Sequence, residues 1–232
     1  MEYRVENKYL VTDAQLALLA GRLKPVMPQD VHQSGNCYEI RSLYFDDIRD
    51  RCMDENEAGY DQRRKYRIRI YDPDAASAKL EIKEKLAGKT KKISCGITRS
   101  EALGLMENSL PLLLDSRAPL NLFQLSARCT KMEPKAMIYY ERTAFVYPVG
   151  NVRITFDRNI MASRNPEDFF CPHPQSLVPV LPTGLHVLEV KYDEFLPKFL
   201  FDRLEIEDLT PCAFSKYYLG RLAIRGEFPI HL

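Results

Sequence analysis

The sequence predicts an α+β protein built on eight strands. Three observations carry that expectation. Eight segments alternate with the period of two that a strand imposes, helix-like pieces lie between them, and no repeat, low-complexity tract or Gly/Ser-rich linker divides the chain. Eight strands are enough to close a barrel.

The alternating segments run at roughly 2–11, 37–46, 64–71, 78–87, 90–97, 135–147, 151–159 and 185–193. A helix is expected after the first of them. Thr12 and Asp13 are good N-cap types, and Leu16, Leu19, Ala20 and Leu23 then share one face. Further helices are expected near 99–107, 119–131, 197–207 and 214–224. The stretch from Pro166 to Pro182 is rich in proline and reads as a long irregular connection, not a domain boundary. One domain over residues 1–232 is therefore expected.

With 45% hydrophobic and 28% charged residues, the composition is that of an ordinary globular chain. The net charge of +1 gives no global field for a nucleic acid, so no nucleic-acid partner is expected. Cys37, Cys52, Cys95, Cys129, Cys171 and Cys212 form no CxxC pair, and reduced thiols in a cytoplasmic setting follow. Cys171 and His173 lack the second pair that a zinc set needs. The opening MEYRVENKYL has no apolar h-region, so a signal peptide is not expected. The longest apolar runs, such as 110–114, fall far short of the ~20 residues of a membrane span.

Which residues alternate matters more than how many. Arg4, Glu6 and Lys8 share one strand face, as do Lys65, Arg67 and Arg69, and Lys79, Glu81, Lys83 and Lys85. Arg153, Thr155 and Asp157 share another, and so do Glu189 and Lys191. A charged row on a strand is commonly a solvated outer face. Here, rows of one sign on adjacent strands would set like charges within ~5–8 Å, which an anion or interleaved carboxylates must offset. If helices cover the apolar faces, the charged faces meet inside, where unpaired charges are too costly to remain. Guanidinium forks grip two phosphate oxygens each, and lysines act as point charges, so long rows of both suit a phosphate chain. Glu6, Glu81, Asp157 and Glu189 would orient the cations or hold a divalent ion.

These same residues carry a resemblance. RVENKYLV (4–11), SLYFDD (42–47), KYRIRIY (65–71), LEIKEK (80–85), YERTAF (140–145), VRITFDRNI (152–160), LEVKY (188–192) and FSKYYLG (214–220) together resemble the VTC-domain family. Those are the polyphosphate polymerase domains of vacuolar transporter chaperone complexes and their prokaryotic relatives. The resemblance implies a triphosphate tunnel: a closed antiparallel eight-stranded β-barrel with helices packed outside. It implies catalytic roles for Arg67, Arg69, Lys83, Arg142, Arg153 and Lys216. Phosphate contacts are implied for Arg4, Lys8, Lys85, Tyr140, Lys191 and Ser215, and for a lysine of the strand at 90–97. Alternation with Ile93, Cys95 and Ile97 favours Lys92 over Lys91 there. Glu189 would be the ligand of Mn²⁺ or Mg²⁺.

The wider superfamily opens on ExExK. Here Arg4 replaces the first acid, which removes a metal ligand, adds a phosphate contact and argues against a plain triphosphatase.

The reaction implied is transfer of the γ-phosphoryl group of ATP to the end of a growing polyphosphate chain. The acceptor is already ionised near neutral pH, so positioning and charge neutralisation would do most of the work. No P-loop or kinase Gly-rich loop is present, and His186 reads as structural. Two alternatives stand: a triphosphatase or nucleotide triphosphate hydrolase of the same fold, and a non-catalytic polyphosphate sensor. No SPX-like regulatory region is expected, so a membrane partner would be a separate protein; the expected location is cytoplasmic, with the inner face of a membrane reached through such a partner. Because like charges repel on an empty strand face, Arg67→Ala with Arg69→Ala is expected to abolish phosphate binding and leave the fold intact or more stable.

Overall fold

A computed structural model of the chain describes residues 5–30, 33, 35–86, 89–112, 115–206 and 209–227. The sites expected at these positions can be placed, whereas Arg4 lies outside the described residues.

The strands are β1 (Val5–Thr12), β2 (Tyr38–Asp46), β3 (Arg63–Ile70), β4 (Ser77–Leu86), β5 (Lys89–Thr98), β6 (Glu133–Tyr147), β7 (Val152–Ser163), β8 (Val178–Pro179) and β9 (Leu185–Tyr192). The helices are α1 (Asp13–Leu23), α2 (Arg51–Glu57), α3 (Arg99–Met106), α4 (Ala118–Thr130), α5 (Lys198–Leu204) and α6 (Lys216–Ile224). Capping boxes start α1 and α3. In each, a threonine (Thr12, Thr98) accepts from the backbone of a Gln or Glu three residues on, whose side chain returns the bond.

Strand pairing is antiparallel throughout, in the order β1-β9-β7-β6-β2-β3-β4-β5, with β8 added beside β7. The eight longer strands fall on the eight alternating segments. The expected closed barrel, however, is not formed by hydrogen bonds: among the described residues no ladder joins β1 to β5. The outer edge of β1 is already taken. Cys212 donates its amide to the carbonyl of Lys8 at 2.8 Å, and Tyr9 bridges to Pro211. At that point the edge of β1 is satisfied by this segment and not by β5.

The sheet is nevertheless strongly curled. Six strand spacings separate β1 from β4, about 29 Å in a flat sheet, yet Glu6 on β1 lies 3.3 Å from Lys83 on β4. The first strand has swung round to face the seventh in the order.

Two apolar cores flank the sheet, one of them reaching round to both sides. α1 and α5 bury Leu16, Leu19, Leu23, Leu200 and Leu204 against Val11, Ile154, Leu188 and Val190. α4 sets Phe123 edge-on to Phe45 at 4.9 Å and against Tyr66. The expectation that all helices pack outside needs correction for α6, which lies on the charged side. A β-bulge explains how apolar partners come to be there. The β6–β7 register shifts between Tyr139 and Glu141, opposite Asn159 at φ 50°. The shift moves Ala162 of β7 onto the face of Asp157. Gly220 of α6 then sits so close to Ile138 and Ala162 that an added Cβ would lie 2.2 Å from Ile138 Cδ1.

Candidate phosphate groove

The concave face collects the charged rows. β3 contributes Arg67, whose Nε and NH2 each lie 2.7 Å from Glu81 and whose NH1 donates to the Tyr44 hydroxyl at 2.9 Å. Arg69 donates to Ser42 and to Tyr140, both at 3.2 Å, and lies 3.8 Å from Glu81. Lys92 reaches the other oxygen of Glu81 at 3.2 Å. One carboxylate thus serves three cations. Burial pushes the Glu81 carboxyl up, but Arg67, Arg69 and Lys92 outweigh it and hold the group far below the usual carboxylate range.

A second knot forms on β6, β7 and α6. Arg142 grips Asp157 through two bonds at 2.6 and 2.7 Å, and Lys216 meets the same carboxylate at 2.6 Å. Arg142 and Lys216 both stand over the Tyr140 ring, at 5.3 and 5.0 Å from its centre. Asp157 is fully buried; burial raises its carboxyl, and Arg142 and Lys216 more than offset this, bringing it to about 2.

The third knot joins β1, β9 and β4. Lys191 lies 3.3 Å from both Glu6 and Glu189, and Lys8 lies 3.1 Å from Glu6 and 3.8 Å from Glu189. Lys83 closes on Glu6, and Arg142 reaches Glu189 at 3.7 Å. Burial raises Glu189, yet Lys191, Lys8 and Lys216 hold it well below the ordinary value. Ser215 caps α6 by accepting from the Tyr218 amide and also accepts from Lys65 at 2.8 Å. Lys8 ties the same turn down through the Phe214 carbonyl at 2.9 Å.

The structure therefore gathers Lys8, Arg67, Arg69, Lys83, Lys92, Tyr140, Arg142, Lys191, Lys216, Ser215 and Glu189 on one face. Arg153, opposite Lys191, pairs with the buried Asp30 and donates to Tyr38 at 3.2 Å. Lys85 stands apart, at the β4–β5 hairpin opposite Arg63 and Thr90. His186 meets Asp13 at the start of α1, at 2.8 Å.

The interleaved carboxylates change one expectation. Arg67 and Arg69 are bridged through Glu81, so removing both strands a buried anion instead of relieving repulsion. Sequence reasoning also passed over Tyr44, Asp30 and Asn56, and gave Lys65 a face but no role of its own. Lys65 is in phase with Arg67 and Arg69, so alternation already marked its face. Asn56 lies on α2, whose sequence RCMDENE has no apolar period; the helix is held instead by the buried Asp46, which accepts from the amides of Cys52 and Met53.

A divalent ion is compatible with this donor set. Glu6 and Glu189 act directly on one another, and the Thr155 hydroxyl, buried across the strand pair from Glu189, has no hydrogen-bond partner. Among the described residues no three His, Cys, Asp or Glu gather as a complete cage. Mg²⁺ and Mn²⁺ do not require one, since one or two carboxylates plus substrate phosphates suffice. Among the described residues no helix is long and apolar enough to cross a membrane.

Comparison with known proteins bears on the fold and the family. A Bacillus halodurans protein provisionally assigned as an adenylate cyclase is 15% identical, with 87% of this chain and 86% of that one aligned at a TM-score of 0.51. At that identity the likeness is one of fold. The PH1819 protein of Pyrococcus horikoshii (14% identity, 87% and 84% covered, TM-score 0.43) and a conserved hypothetical protein of Pyrococcus furiosus (12%, 91% and 97%, TM-score 0.45) are looser likenesses. No curated protein matches the chain. The VTC domain model matches residues 3–224, and the chain belongs to the VTC-domain family.

Proposed function

We propose that this chain is a polyphosphate polymerase that transfers the γ-phosphoryl group of ATP to the end of an inorganic polyphosphate chain. One observation carries the reading: on the concave face, cations from β1, β3, β4, β5, β6, β9 and α6 outnumber Glu6, Glu81, Asp157 and Glu189. The surplus suits a polyanion. In this reading the curled sheet is the wall of a tunnel through a single domain, and the segment at 211–215 completes that wall.

The terminal oxygen of the acceptor chain attacks the γ-phosphorus, and the bond to the β-phosphate breaks, with its electron pair leaving on ADP. The attacking oxygen is already ionised, so no side chain need take a proton. Arg67, Arg69, Arg142, Lys83 and Lys216 neutralise charge on the transferring group, and their carboxylate and tyrosine partners hold them before substrate arrives. Lys8, Lys92, Lys191 and Ser215 position the flanking phosphates. Mn²⁺ or Mg²⁺, held by Glu189 with Glu6, would supply further neutralisation across the phosphates.

The test is product analysis after incubation with ATP and Mn²⁺. Chains long enough to resolve as a ladder on a gel, formed with one ADP per phosphate added, support the polymerase. Orthophosphate as the sole new phosphate product replaces it with hydrolysis, and unconsumed ATP replaces it with a binding role.

A further inference from the structure

Most of the cations described in the groove meet carboxylates, whereas Lys65 meets neutral partners. Lys65 donates to the amide oxygen of Asn56 at 2.6 Å and to the hydroxyl of Ser215 at 2.8 Å, both neutral. Among the described residues no carboxylate pairs with it. The charged groups facing it have its own sign: Arg63 from β3, Lys8 from β1 and Lys83 from β4, with the Cys52 thiol approaching from α2. A half-buried ammonium among like charges, held by neutral partners, is a cation without a counter-ion.

We propose that Lys65, with Asn56 and Ser215, forms an anion subsite of the groove that takes up a proton when a phosphate group binds. The proposal deepens the polyphosphate reading and rests on it. Burial, then Arg63, Lys8 and Lys83, push the Lys65 ammonium down to about 7. The empty site therefore holds a large fraction of neutral amine near neutral pH. An arriving phosphate oxygen supplies the missing negative charge and favours the ammonium, and the proton comes from the buffer. Asn56 and Ser215 fix the amine in place, and each carries a donor that can turn to the anion. Affinity should then be greatest below pH 7 and fall as pH rises through that value.

Titration calorimetry of the full chain with inorganic triphosphate, near pH 7.5 in buffers of different ionisation enthalpy, reads both affinity and proton uptake. The wild-type chain should take up more protons than Lys65→Arg does, set against the protons that triphosphate itself gives up on entering a cationic groove. Lys65→Arg, which cannot lose its charge, should bind with similar affinity and without the excess uptake. Lys65→Met should bind about tenfold more weakly, the loss expected for one charge-assisted contact. Circular dichroism on both variants confirms that they fold, and Lys65→Arg keeps the test intact if Lys65→Met does not. Equal uptake in wild type and Lys65→Arg would overturn the subsite. A wild-type chain that binds no triphosphate would overturn the phosphate reading and the subsite together.

Discussion

The ammonium of Lys216, at the first turn of α6, lies 2.6 Å from the carboxylate of Asp157 on β7, which also takes both bonds of Arg142. One buried carboxylate thereby fixes the last helix onto the charged side of the sheet. Asp157→Asn keeps the volume and removes the charge, leaving two cations without their partner. Breaking a buried pair from one side costs about 3–5 kcal/mol. Urea denaturation should show a loss in that range. Triphosphate should stabilise this variant by more than it stabilises the wild type, because it replaces the missing charge.

Arg67→Ala with Arg69→Ala should destabilise the fold by about 3 kcal/mol, since Glu81 would be left buried beside only Lys92. Adding Glu81→Gln should restore part of the loss. An unchanged denaturation midpoint in the double variant would show that the bridge through Glu81 is not structural.

Stability should fall in acid over a definable window. The Asp157 carboxyl sits at about 2 in the folded chain against an ordinary 3.8. A depressed folded value stabilises the fold above the unfolded value and stops doing so as pH falls from about 4 to about 2. Glu81 is depressed in the same sense and extends the loss further into acid. Urea midpoints measured from pH 5 to pH 2 should decline, and the Asp157→Asn series should decline less.

Glu189→Gln separates binding from chemistry. If this carboxylate holds the divalent ion, turnover should drop by at least about a hundredfold, in line with loss of metal chemistry. Triphosphate affinity measured without metal should hold steady or rise, because a negative charge has left the groove. Turnover that survives would remove Glu189 from the metal role.

Gly220→Ala tests how closely α6 lies on the sheet. Its new methyl would meet Ile138 Cδ1 at 2.2 Å, so a cost of about 1–3 kcal/mol is expected. Ile138→Val in the same chain should recover much of it. Additive losses would mean that the two residues do not touch.

Much of the charged face could be read before the structure. The alternation of Lys65, Arg67 and Arg69, or of Glu189 and Lys191, is a local property of a strand, and strand geometry sends alternate side chains to one side. What the residues bond to was not local. Whether Arg67 faces another cation or Glu81 depends on the register between β3 and β4, which no single strand encodes. The missing ladder was hidden for a similar reason. The edge of β1 is occupied by Pro211 and Cys212, in a segment without periodicity, so nothing in the pattern marked it as a competitor for β5. The place of α6 depended on the bulge at Asn159, a single positive φ that reversed the facing of the strand beyond it.

The open sheet leaves one further trace in the chain. A strand edge with unpaired amides and carbonyls is a template on which a second copy of the protein can grow. At β1 that template is masked, and the segment that masks it carries a proline, which has no amide to offer a newcomer. Near its start β5, the outermost strand, carries Lys91 and Lys92. Two copies brought edge to edge there would face each other with matching positive charge. Lysine that reads at first as part of a binding surface would thus also disfavour the pairing of two copies along this edge.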